Sequence, residues 1–250
     1  MKKILFAAMA LGMCMTSCMN DEFPNAVQYG YINLNVSNNP VMVTRAGELS
    51  WQFSATKNGE SYSGFVSGAN KVPAGTYTIT AQSHDSEEAA NTFNTYGEPY
   101  FEGKSAETVI SAGKSENVEI NCGTAKNSKL TLVNKLNDNV FADVKLNATS
   151  PNRELSLSYD NSSAFYSKGT EVRYNISYKY NGSHAETVIK NNGEDYIITI
   201  VEAAQDYQIK LTSTDNGTIN VTVTYNGKFD TIESEDFTID AATGQIATEE

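Results

Sequence analysis

Apolar and polar residues alternate with a period of two along most of this chain. Ile32, Leu34 and Val36 are interleaved with Asn33 and Asn35, and Leu49, Trp51 and Phe53 with Ser50 and Gln52. The pattern recurs at Tyr77, Ile79 and Ala81, at Val144, Leu146 and Ala148, and at Leu155, Leu157 and Tyr159. Its longest run is Val172, Tyr174, Ile176, Tyr178 and Tyr180, and a late one is Ile219, Val221 and Val223. Successive side chains of a strand point to opposite faces, so each run predicts a strand with one face in a core. β-Branched and aromatic residues fill these runs, as a half-buried pleated surface prefers. Asn-Gly pairs at 58–59, 181–182, 192–193, 216–217 and 226–227 supply the positive φ angles of tight hairpin turns. Short strands broken by such turns predict an all-β antiparallel sandwich, not βαβ units. Outside the N-terminus, the weakly helical stretch is Ser86 to Asn94.

Cys122 to Ser128 is small and polar and lacks alternation. It falls near the middle of the chain, which places a domain boundary there: residues 27–122 form a first β-sandwich domain and residues 129–250 a second. Within the first, Pro73 fixes φ and Gly75 permits a positive one, which suits a tight entry into the strand Thr76 to Ala81.

The first residues are of a different kind. Met1-Lys2-Lys3 is a basic start, Ile4 to Met15 an apolar run, and Ser17 a small residue before Cys18. This is the layout of a secretory signal peptide covering residues 1–17. The run falls short of the ~20 apolar residues that span a bilayer. Met15-Thr16-Ser17-Cys18 resembles a bacterial lipobox. That resemblance implies diacylglyceryl attachment at Cys18, with residues 18–26 as a lipidated tether. Cys14 is a poorer site, because bulky Met13 precedes it.

Charge narrows the partners. The chain of 250 residues carries a formal net charge of −12. A nucleic-acid binder needs a basic stripe to displace counterions from phosphate, and none is present. An acidic body is also repelled by anionic headgroups, so the membrane link falls to the lipid. Each buried methylene contributes about 0.8 kcal/mol, and two or three acyl chains make the anchorage effectively permanent. With Cys14 removed and Cys18 acylated, Cys122 is left without a disulfide partner. It shares a face with Val118 and Ile120 and reads as a small buried hydrophobe.

Val72-Pro73-Ala74-Gly75-Thr76-Tyr77-Thr78-Ile79-Thr80-Ala81 resembles a strand-turn-strand segment that recurs in Bacteroidales surface lipoproteins. The similarity continues through Pro99-Tyr100-Phe101-Glu102-Gly103, Thr108-Val109-Ile110-Ser111-Ala112-Gly113 and Val118-Glu119-Ile120-Asn121-Cys122, and covers Val27 to Leu132. The family is an uncharacterised lipoprotein domain, fimbrillin-like in style. The resemblance implies two tandem antiparallel β-sandwiches of the immunoglobulin-like or transthyretin-like kind. Asp21-Glu22 resembles the acidic signal that sends such lipoproteins to the outer face of the outer membrane. The implied role is a non-enzymatic binding or adhesion module, fimbria-associated and open to self-assembly. The alternative is a glycan-binding accessory of an outer-membrane nutrient-uptake system. In polymerising fimbrillins a protease cuts after an Arg near the first strand, and Arg45-Ala46 stands at the matching place; an ordinary exposed loop arginine is the competing reading.

Candidate chemistry is sparse. His84 and His184 have no metal-ligand spacing around them, so neither a metal nor a cofactor is expected. Nucleophile-elbow, phosphate-loop and dinucleotide motifs are missing from the sequence. A glycosidase needs two carboxylates across a deep cleft, which a sandwich of this size rarely builds, so no enzyme activity is expected. The longest stretch without alternation, His84 to Gly103, holds the candidate ligand-binding loop: Tyr96, Glu98, Tyr100, Phe101 and Glu102. Two readings stand there. Exposed tyrosines beside carboxylates can stack on a sugar and bind its hydroxyls. Alternatively, Phe93, Tyr96 and Phe101 cover one end of the sandwich, since a long loop needs its own small core.

Overall fold

The computed structural model describes residues 27–37, 49–191, 193–213, 218–226 and 237–242. The expected signal peptide, Cys18 with its tether to residue 26, Arg45 and Ala46, Asn192, the Asn216-Gly217 pair and Gly227 lie outside the described residues.

The first half runs β1 (Tyr29–Ser37), β2 (Gln52–Lys57), β3 (Glu60–Phe65), β4 (Gly68–Pro73), β5 (Gly75–Gln82), α1 (Glu87–Thr92), β6 (Glu102–Lys104), β7 (Thr108–Ile110) and β8 (Ser115–Asn121). The second runs β9 (Asn127–Lys135), β10 (Phe141–Ser150), β11 (Arg153–Leu157), β12 (Ser163–Ser167), β13 (Glu171–Tyr180), β14 (Thr187–Ile189), β15 (Tyr196–Thr199), β16 (Asp206–Ser213), β17 (Thr218–Asn226) and β18 (Phe237–Asp240). Alternation explains the regular strands. In β1, Gly30, Ile32 and Leu34 turn inward while Tyr29, Tyr31 and Asn33 turn out. The β2–β3 hairpin closes on Asn58 and Gly59, whose φ angles of 50° and 83° are those of the expected turn. Asn181 and Gly182 repeat it after β13, at 48° and 74°.

Four sheets result, in the orders β4-β1-β8, β3-β2-β5-β6, β11-β10-β13-β14 and β12-β9-β16-β17-β18, with β7 also on β5 and β15 also on β13. The second pair of sheets repeats the first, strand for strand, eight places later in the chain. Each first strand lies between an antiparallel neighbour and a parallel one: β1 between β4 and β8, β9 between β12 and β16. The pairing is otherwise antiparallel, as expected of the sandwiches, and these two pairs are the parallel ones. What the second half adds is the β17–β18 hairpin outside β16.

Buried side chains form two clusters. One holds Ile32, Leu34, Tyr77, Ile79, Val118 and Ile120 among others, and the other Leu130, Leu146, Tyr178, Ile209 and Val221. Residues from both sheets of a pair contribute to each. Trp51 and Leu49 pack against the first cluster ahead of β2 rather than inside it. The Leu155–Leu157–Tyr159 alternation stops at Leu157, where β11 ends, and Tyr159 is exposed. The weakly helical stretch is the six-residue α1, capped by Ser86, whose Oγ accepts from Ala89 N at 3.1 Å.

Part of the stretch 123–128, where the domain boundary was placed, is buried. Ala125, Asn127 and Ser128 are buried, and β9 already begins at Asn127. Its small polar residues are there because two cores meet over them.

Candidate functional site: the seam between the two cores

Helix α1 and the turn after it form one side of the seam. Asn94 and Thr95 take positive φ, and Gly97 follows at φ 82°. A Cβ on Gly97 would lie 2.4 Å from the Asn91 carbonyl oxygen, so the turn needs glycine for both angle and space. This turn carries Tyr96 onto the other core. Its ring packs against the second cluster, its hydroxyl donates to Ser156 O at 3.4 Å, and its carbonyl accepts from Phe165 N at 2.9 Å. Ala204, from the second half, packs in return against the first cluster.

Asn127 is the hub. Its amide donates to Asn91 Oδ1 at 2.7 Å and to Glu98 O at 2.9 Å, and its Oδ1 accepts from Tyr100 N at 2.8 Å. Asn91 in turn donates to Ser167 Oγ at 2.8 Å. Ser128 donates to Glu202 O at 2.7 Å and accepts from Gln205 N at 2.9 Å. Ser83 performs the same service one layer away, its Oγ accepting from Phe101 N at 3.0 Å. Each buried polar group named here therefore has a partner, as burial requires. Arg153 completes the clasp. It donates to the carbonyls of Asn91, Thr95 and Phe165, and its guanidinium sits 4.3 Å from the Tyr166 ring centroid. Burial holds Arg153 below the ordinary arginine pKa, with Tyr166 opposing that shift.

The candidate loop residues are thereby scattered. Phe101 is 1% exposed and Tyr100 6%, so neither ring is a free stacking platform. Tyr96 is half-buried on the second core. Glu98 faces His84 across 3.4 Å, and Glu102 is exposed on β6. Of the three aromatics in the covering reading, Tyr96 packs on the second core, Phe101 lies in the first, and Phe93 is exposed. Asn91, Asn127 and Arg153 were not singled out in the sequence. Asn127 lay in the polar stretch and Asn91 in the loop without alternation, while Arg153 carried no sign.

Elsewhere the chemistry is quiet. Cys122 is buried and its Sγ lies 3.7 Å from Ala81 O. Burial pushes the thiol up to about 11, with the Glu102 charge adding to it. Among the described residues no group of three or more His, Cys, Asp or Glu could hold a metal ion, and no helix is long and apolar enough to cross a membrane.

Seam and sheets together define an all-β scaffold with two interlocked cores. The chain belongs to the family of domains of unknown function DUF4493, whose model matches residues 33–241. That match runs through both halves, well beyond the Val27–Leu132 stretch that carries the sequence resemblance. No curated protein matches the chain. Similar solved structures include the tip fimbrial protein of Porphyromonas gingivalis with C-terminal truncation, at 10% identity, 79% of this chain, 99% of that one and a TM-score of 0.41. A fimbrial assembly protein from Parabacteroides distasonis matches at 10% identity over 80% and 99%, with a TM-score of 0.41. The fimbrial anchor protein of Porphyromonas gingivalis matches at 13% identity over 81% and 98%, with a TM-score of 0.37.

Proposed function

We propose that this chain is a surface lipoprotein of the outer membrane, held by acyl chains on Cys18, and that it works as a non-enzymatic binding or adhesion module. Residues 27–122 and 129–250 are its two sandwich domains, locked into one body by the seam. The observation that carries the reading is the position of β1. The lipidated tether would lead directly into this strand, and β1 is central in its sheet. It pairs antiparallel with β4 and parallel with β8 over Tyr31–Ser37 and Ser115–Asn121. A pull on the anchor along β1 loads that ladder in shear, across all its hydrogen bonds at once. An edge strand would instead peel away bond by bond. The fimbrial names of the similar structures are of the same kind, but they are names of those proteins.

Labelling cells with an azido fatty acid tests the anchor. The wild type and Cys14→Ser should take the label and Cys18→Ser should not; label on Cys18→Ser sinks the anchor. Protease added to intact cells should remove the labelled protein. Its survival there, with loss only after lysis, sinks surface display. A glycan-binding role in nutrient uptake is the second reading, favoured by the two tyrosines that β1 turns outward.

A further inference from the structure

The outward row of β1, Tyr29, Tyr31, Asn33 and Asn35, carries no charge. Its two flanking strands widen the row into a face. Lys71 of β4 lies beside Tyr31, while β8 sets Ser115 beside Tyr31, Asn117 beside Asn33 and Glu119 beside Asn35. By contrast, β13 turns Glu171, Arg173 and Lys179 outward, and β16 turns Asp206 and Lys210.

Two neighbouring aromatic rings stand in water on this face. Tyr29 is 45% exposed and Tyr31 44%. Two residues apart on one strand, they are separated by about 7 Å. The other exposed aromatics among the described residues, Phe93 and Tyr159, stand singly in loops. Lys71 Nζ lies 4.8 Å from the Tyr29 ring centroid and so stands over one side of that ring. The Tyr31 ring meets no other aromatic or cationic group among the described residues. Ser115, its neighbour on β8, is too small to wall the ring in. Hydrogen-bonding capacity lies next to the rings. Asn33 Nδ2 donates to Asn117 Oδ1 at 2.9 Å, which leaves Asn33 Oδ1 to accept and the Asn117 amide to donate.

Charge and size select the occupant. The chain carries a formal net charge of −12, which repels polyanions. The face itself balances Lys71 against Glu119, so a polycation finds no anionic row there. The 9 residues of β1 at ~3.3 Å each, and three strands at ~4.8 Å spacing, give about 400 Å². A stable protein interface takes about 800 Å² from each partner, twice what this face offers. A long, narrow and neutral polymer fits it. A pyranose ring has an apolar side of C–H groups, which the electron-rich face of an aromatic ring attracts, and a rim of hydroxyls, which carboxamides bind.

We propose that the outer face of the β4-β1-β8 sheet binds a linear neutral polysaccharide laid along β1, with one sugar stacked on Tyr31, the next beside Tyr29, and hydroxyls held by Asn33 and Asn117. The site rests on the second reading of the chain, as a glycan-binding protein, and names the ligand class and the surface that receives it.

The test is affinity electrophoresis of the purified full chain, in a detergent without a sugar headgroup, through native gels holding mannan, xylan, mixed-linkage β-glucan, dextran or starch. Polygalacturonate and heparin serve as anionic comparisons. At least one neutral polysaccharide should retard the chain in a concentration-dependent way, and neither polyanion should. Tyr31→Ala should weaken that binding at least about tenfold, as loss of a hot-spot tyrosine does. Its melting temperature should change little, because the ring is exposed. Tyr31→Phe keeps the ring and should bind within about threefold of the wild type. Asn33→Ala should weaken binding severalfold. The proposal is overturned if no neutral polysaccharide retards the wild type, or if a polyanion retards it as strongly. It is also overturned if Tyr31→Ala binds as well as the wild type, or if Tyr31→Phe binds as poorly as Tyr31→Ala. Binding that survives Tyr31→Ala keeps the glycan-binding reading and removes the β1 face from it. Electrophoresis of purified protein is independent of Cys18, so every result here leaves the anchor to its own label.

Discussion

The side chains of Asn91 and Asn127 share a 2.7 Å hydrogen bond that joins the helix of the first half to the opening strand of the second. Asn127 is fully buried, and all of its side-chain hydrogen-bonding groups face the first half: Asn91, Glu98 O and Tyr100 N. Asn91 hands the connection on to Ser167 at the end of β12. A polar residue at the junction of two apolar cores thus fixes their register, where an apolar contact would allow sliding.

Asn127→Ala should therefore cost about 2–4 kcal/mol, since it strands two half-buried acceptors and one buried donor. Urea unfolding of the wild type should show one transition, because the seam couples the cores. The variant should show a lower midpoint, and its transition should broaden or split. A midpoint shift worth less than ~0.5 kcal/mol, within the range of a neutral surface change, would mean that the hub carries no load.

Gly97→Ala tests the turn that delivers Tyr96. At φ 82°, with the Asn91 carbonyl oxygen 2.4 Å from the new Cβ, the substitution should destabilise by roughly 2–4 kcal/mol. Protease sensitivity should appear in residues 92–98 before the sheets unfold. Gly59→Ala makes a control, because a Cβ there meets nothing within 4 Å and only the φ cost remains.

How much of this was legible in the sequence depends on where each partner lies. β1, β5, β10 and β13 are half-buried, and their period of two announces them. β9 is buried on both faces along most of its length, so Leu130 and Leu132 stand among buried polar neighbours and no alternation survives. Asn127 and Ser128 read as part of a domain boundary because their stretch is small, polar and without alternation. Their partners Asn91 and Glu202 lie 36 and 74 residues away, beyond any local pattern. The aromatic loop was visible as an interruption of the pattern. That Tyr96 crosses to the other half's core was not, because no local pattern marks so distant a contact.

Cys122 should be inert in the native protein. Its folded pKa is raised to about 11 from an ordinary value of 9.0, because burial disfavours the thiolate. The unfolded thiol ionises first as pH rises, so the unfolded state loses its proton while the folded state keeps it. Stability from this group is thus fully present below about pH 9 and lost between pH 9 and about 11. Iodoacetamide at pH 8 should leave the native thiol unmodified and label it after denaturation. Cys122→Ala should flatten the alkaline fall in stability. Rapid native labelling would place the thiol at the surface instead.

Cleavage after Arg45 would sever β1 from β2, and the position of β1 sets the outcome. Ile32 is fully buried and Leu34 nearly so, and each such side chain contributes about 1.5–3 kcal/mol. Ladders to β4 and β8 hold both edges of the strand. The cut strand should therefore stay in place: a protein nicked by a trypsin-like protease at Arg45 should run as one species in native mass spectrometry and as two after denaturation. Self-assembly through an emptied β1 site then needs an incoming strand to displace β1, so it should be slow and should speed up with Ile32→Ala, which weakens the resident strand. Arg45→Ala should remain one chain and a monomer under the same protease. If the nicked protein sheds residues 18–45 at once in native buffer, β1 is not the central strand described here. If it polymerises at a rate that Ile32→Ala leaves unchanged, strand displacement is not the route.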